Sequence, residues 1–216
     1  TVTGSPYITL ELGTTDKNAT YVSGSSSTTL TFSHVVSTGD TTSDLDYVAT
    51  NSLNLNGGTI RDAWNTNVIL TLANPGALNS IADNQAIVID STVPTIVAVS
   101  SSNADGTYGI GDQILVQVTF SEPVSVTGSP YITLEMGATD RNATYLSGSS
   151  TTTLTFRHTI VAGDTSADLD YTNTSALNLN AGTIRDVASN DATLTLATPG
   201  ALNSISDNQA LVVDTT

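Results

Sequence analysis

The acidic side chains are where this chain can do chemistry. Asp40, Asp44, Asp90, Glu122 and Asp186 form the candidate set for a shared cation. Carboxylates packed together repel unless a cation shares them, and Ca²⁺ accepts about six to eight oxygens in flexible geometry. The competing reading is that each Asp caps a turn through side chain to backbone hydrogen bonds, which Asp does readily. Asp44-Leu45-Asp46 and Asp168-Leu169-Asp170 form a second candidate, with carboxylates two apart on one strand face flanking an inward Leu. Such a face either binds a cation or stays solvated, and solvation is the expectation. His34 and His158 each follow a Phe at equivalent places. With one His per copy and no Cys, a strand-end His bonded locally fits better than metal or triad chemistry. Paired acids for glycoside cleavage lack an aromatic platform, since Trp64 is the one Trp. No nucleophile–base pair or phosphate loop recurs at informative spacing, so no enzyme is expected. Asn18, Asn142 and Asn173 head Asn-x-Thr/Ser triplets, a pattern that a Thr- and Asn-rich chain also produces by chance.

These residues sit in a sequence that repeats itself at a spacing of 124. Val2 through Glu11 returns as Val126 through Glu135, Ile60-Arg61-Asp62 as Ile184-Arg185-Asp186, and Pro75 through Ile81 as Pro199 through Ile205. Of the 92 comparable positions, 62 are identical. An active site needs one scaffold holding a few unlike groups. Copying a whole module gives length, rigidity and multivalency instead. Thr1 matches Ser125, so the first copy starts about a quarter of the way into the unit and the chain reads as a slice of a longer array. The boundary falls at Asp90-Ser91-Thr92-Val93-Pro94, giving residues 93–216 as a complete unit. Residues 1–92 lack the counterpart of residues 93–124, expected to carry the first two strands. Either that part lies upstream in a parent chain, or a neighbouring molecule donates strands to complete the module.

Period-2 alternation predicts an all-β fold without helix. Ile114, Val116, Val118 and Phe120 alternate with mostly polar neighbours, as do Ile132-Thr133-Leu134-Glu135-Met136, Leu154-Thr155-Phe156, Leu177-Asn178-Leu179 and Leu194-Thr195-Leu196. Strands with one wet and one dry face belong to antiparallel sheets. Turn signals such as Ser147-Gly148-Ser149-Ser150 and Ala162-Gly163-Asp164 separate them, which indicates β-sandwiches with Greek-key connections. The net charge of −15, from 20 acids against 5 bases, leaves no basic surface for nucleic acid. No apolar run is long enough to cross a bilayer as a helix. The absence of Cys removes disulfides and thiolate metal sites.

Ala104-Asp105-Gly106-Thr107-Tyr108-Gly109-Ile110-Gly111-Asp112, leading into Val118-Thr119-Phe120-Ser121-Glu122-Pro123-Val124, resembles the opening of bacterial Ig-like repeats in giant surface proteins. Gly163 through Tyr171, Ile87 through Pro94, and Ile184 through Asn190 continue the likeness, the last resembling the Asp-x-x-Gly-Asn loop of such domains. The group it is most similar to is the flagellar system-associated repeat of very long surface and adhesin-like proteins. The resemblance implies tandem Ig-like antiparallel β-sandwiches with an extracellular, cell-surface role and no reaction. It also implies Glu122 at the linker end of the second module, facing Asp40, Asp44 and Asp90 across the joint, where calcium would stiffen the array. Asp186 joins them there unless the extra segment Pro199–Asn208 reverses one strand and moves it to the far end. Thr66 stands where the second copy has Asn190, which puts that loop in doubt in the first module. The function expected is a stalk or spacer that holds a distal tip away from the cell, its partners being neighbouring repeats. The alternatives are self-assembly with other copies into a filament by strand donation, or carbohydrate binding through Trp64.

Overall fold

The computed structural model describes all 216 residues. Strand accounts for 39% of them and helix for 4%, which makes the chain all-β with several antiparallel sheets. It divides into two compact units, Thr1–Thr92 and Val93–Thr216.

The first unit runs through β1 (Val2–Thr3), β2 (Tyr7–Leu10), β3 (Lys17–Ser23), β4 (Thr31–Ser33), β5 (Thr41–Thr42), β6 (Leu53–Asn54), β7 (Thr59–Ile60), α1 (Ile81–Asn84) and β8 (Ile89–Asp90). Its main sheet has the order β4-β3-β2-β6, while β1 pairs with β7 and β5 with β8. Alternation on β2 turns Ile8 and Leu10 to one face, with Ile8 opposite Ala19 of β3. Leu10, Leu12 and Ala19 are buried there, and Phe32, Leu45, Ile81 and Ile89 pack partly against them. The hairpin from β3 to β4 requires Gly24. Its φ is +102°, and a Cβ there would lie 2.0 Å from the Thr29 carbonyl oxygen.

The second unit runs through β9 (Ile96–Ser101), β10 (Gly106–Tyr108), β11 (Gln113–Thr127), β12 (Tyr131–Leu134), β13 (Arg141–Ser147), β14 (Thr151–Thr159), β15 (Leu177–Asn178), β16 (Thr183–Arg185), α2 (Ile205–Asn208) and β17 (Leu211–Val213). The order β14-β13-β12-β15 repeats the first unit's sheet, and β11 extends it, with β9 on the far side of β11. Ile114, Val116, Val118 and Phe120 of β11 are all buried, and they join Ile132, Leu134, Leu154 and Phe156 in a single core. The register between β11 and β14 slips between Thr119 and Val124. Beyond the slip β11 changes partner, and Ser125–Thr127 pair with β16. Pro123 sits inside the slip, where its missing N–H costs no ladder bond.

Three expectations change. Residues 93–124 supply three strands rather than two, because Gly106–Tyr108 pairs in parallel with β17 although nothing alternates in it. Leu194-Thr195-Leu196 forms no strand, and its neighbour Thr193 makes only an isolated bridge to Thr95. One-turn helices do occur. Ser80 and Ser204 cap them by accepting from the backbone N–H of Asp83 and Asp207.

Candidate functional site

The residue types with chemical reach occupy three settings, two of them found in both units and the third kept in the first unit only as a backbone turn. The first joins a His to an Asp six residues later. In the first unit β4 leads into His34, and the turn after it brings back Asp40, which is completely shielded from solvent. One Asp40 oxygen accepts from His34 Nε2 at 2.7 Å, from the Ser37 backbone N–H at 2.9 Å and from Ser37 Oγ at 3.1 Å. The other lies 3.9 Å from Lys17 Nζ, reaching across from β3. The second unit repeats this with a tighter cation. Arg141 Nε donates to Asp164 at 2.6 Å, His158 Nε2 at 2.8 Å and the Val161 N–H at 3.0 Å. Both carboxyls are held below the ordinary Asp value. For Asp40 the His34 bond is the main cause, helped by Ser37 and opposed by desolvation. For Asp164 desolvation is the largest influence and pushes upward, but Val161, His158 and Arg141 together overcome it.

The second setting corrects the expectation of a solvated acidic face. Asp46 and Asp170 are each only 7% exposed, and neither lies on a strand of the sheet. Asp46 accepts from the N–H groups of Tyr47 and Gly76 at 2.9 Å and of Ile81 at 3.3 Å. Asp170 accepts from Tyr171 and Gly200 N–H and from Ser206 Oγ. A buried carboxylate that collects amides ties a distant loop to the core. Desolvation works against the charge on Asp46, yet the amides of Gly76 and Tyr47 keep its carboxyl low. The adjacent tyrosines close the same loop, with Tyr47 and Tyr171 hydroxyls donating to the carbonyls of Ala73 and Ala197. Burial, with the neighbouring Asp, raises both phenols.

The third setting is the loop after β7 and after β16. Asp186 is 5% exposed and accepts from the Asn190 N–H and from Asn190 Nδ2, both at 2.8 Å. Glu122, half-buried within the slip of β11, brings a carboxylate oxygen within 4.8 Å of an Asp186 carboxylate oxygen. The first unit keeps the backbone turn but not its chemistry. Asp62 is exposed and accepts from the backbone N–H groups of Trp64 and Thr66, and Thr66 has no side-chain amide to add. The indole of Trp64 stands in solvent, 86% exposed.

Within its own unit each candidate ligand has its own partners. Asp40 answers His34, Ser37 and Lys17. Asp44 is exposed and accepts from the Ile87 N–H. Asp90, half-buried on β8, accepts from the Thr92 N–H at 2.9 Å. Glu122 and Asp186 come together. Two carboxylates supply up to four oxygens to a hard cation, and waters complete its shell. The His–Asp–cation sets were missed in the sequence. Their signal was there: only 5 residues are basic, and Lys17 and Arg141 occupy equivalent places, as do His34 and His158, Asp40 and Asp164.

No family model, curated protein or solved structure matches the chain.

Proposed function

We propose that this chain is a non-catalytic structural segment of a cell-surface fibre or adhesin, built from Ig-like Greek-key β-sandwiches that act as spacers and hold a distal tip away from the cell. One observation carries the reading. The polar wiring, His to Asp to cation and Asp to loop amides, recurs in both units around carboxylates that are themselves buried. Charges hidden in the same way in two copies serve the rigidity of the copy. They fix irregular loops that short strands alone would leave loose. The switch of β11 from β14 to β16 supports the sandwich, since a strand with partners on two sides ties separate ladders around one core. A dependent proposal is that calcium or a similar hard cation adds to the stiffness through Glu122 and Asp186.

The test is mechanical. When the whole chain is pulled from its ends, the second unit is expected to resist and then release its 124-residue length in one cooperative step, about 400 Å of extended chain. Release at low force in several small steps would remove the spacer reading. A glycan-binding module would instead be recognised by sugar binding that Trp64→Ala abolishes.

A further inference from the structure

We propose that the open apolar face of the first unit is an acceptor site for a polypeptide strand segment of the chemistry of residues 93–124, which adds to the free edge of β4. This goes beyond the spacer reading and does not depend on it.

Ile8, Phe32, Val36, Ile87 and Ile89 line a groove of about 290 Å³ in the first unit. Val36 is 50% exposed and Ile87 37%. Their counterparts one repeat later, Ile132, Phe156, Ile160, Leu211 and Val213, are all at most 2% exposed. The side chains are the same or close in volume, so the difference lies in what covers them. In the second unit the cover is β11, whose Ile114, Val116, Val118 and Phe120 enter the same core. Its backbone pairs with β14 from Gln113↔Thr159 to Thr119↔Thr153. The equivalent edge in the first unit, on β4, has a ladder partner on one side only, β3.

The length of the edge strand points the same way. β14 spans nine residues and β4 three, although Thr31 and Phe32 are identical to Thr155 and Phe156. A strand lengthens when a second ladder satisfies its outer N–H and C=O groups. The occupant is thus defined by chemistry. It is extended, apolar at every second residue, and uncharged along the paired stretch, as Gln113 through Phe120 is. A charged segment would have to lose its hydration against a groove that is apolar apart from His34. Pairing gives affinity and the alternate side chains give selectivity, the physics of strand addition.

The experiment adds a peptide of residues 93–124 to the full chain and follows amide hydrogen exchange by unit. A second version joins the same segment directly ahead of Thr1, in case the free peptide precipitates. The expected result is exchange slowed roughly tenfold or more within residues 27–36, no change in Val93–Thr216, and no effect from a peptide carrying Val116→Asp and Val118→Asp. Protection confined to Val93–Thr216 would overturn the proposal, because the peptide would have displaced its own original there. Equal protection by the Asp-bearing peptide would overturn it as well. So would a chain that already self-associates through residues 27–36 before peptide is added, since the occupant would then be a second copy. The mechanical test does not read this face, so either proposal can fail without the other.

Discussion

Phe32 and Phe156 are one residue in two circumstances. Each meets a tyrosine edge-on, Tyr21 or Tyr145, with ring centroids 5.9 Å apart. Each follows the same strand into the same His. Yet Phe156 is completely buried and Phe32 is not. The local wiring of the repeat survives without the β9–β11 segment, while full burial does not. The lesson is that this fold has two separable sources of order. Hydrogen-bonded turns and buried carboxylates define the shape of each loop, and the cover strand converts an apolar face into a core.

The largest expected effect tests that separation directly. Phe156→Ala empties a filled site and should cost the second unit about 3–5 kcal/mol. Phe32→Ala removes a ring that still touches water, so its cost should be roughly half of that or less. Denaturant unfolding, with the two units resolved by hydrogen exchange, measures both. Equal costs would mean that the face around Phe32 is covered in solution, and the comparison would collapse.

Acid comes next and tests the wiring. The Asp164 carboxyl is held below its ordinary value of 3.8, so near that pH the unfolded chain binds the proton more readily than the folded one. Its contribution is fully present above pH about 4 and is lost as pH falls through the lower folded value. Asp164→Asn should cost about 3 kcal/mol at neutral pH, because Arg141 and His158 lose their shared partner, and should flatten the acid limb of melting temperature against pH. Asp40→Asn should act in the same direction with a smaller effect, since Lys17 stands farther off and more exposed than Arg141. A larger effect at Asp40 than at Asp164 would show that cation distance does not set the strength of this network.

The strands that alternate were legible because burial on one face imposes period 2, and β11, β12 and β14 bury their apolar positions as written. The loops were not. Asp46 and Asp170 look like members of an alternating strand, but each turns inward because the N–H of a residue 30 positions later reaches it. That tie follows from loop closure, and local pattern does not encode it. The pairing of His34 with Asp40 depends on a turn whose type no single residue declares. The resemblance groups Glu122 with Asp186, but the slip and change of partner on β11 that bring them together are not written in the local pattern. Pro123 marks the place of the slip but not the identity of the new neighbour.

The smallest effect concerns the loops that differ most between the units. Asp186 is buried beside Glu122 and held by Asn190, whereas Asp62 is exposed and served by backbone N–H groups. If a hard cation enters the Glu122–Asp186 pair, it binds the folded second unit and not the unfolded chain. Millimolar Ca²⁺, added after chelation, then raises that unit's stability by about 1 kcal/mol for a dissociation constant in the usual extracellular range. The first unit's exchange should not respond. Glu122→Gln should abolish the response while leaving the Asp186–Asn190 bonds in place. A calcium effect that survives Glu122→Gln, or that appears equally in both units, would remove the cation from this loop. Asp186 would then be a turn-former like Asp62, and burial would be the whole of the difference between them.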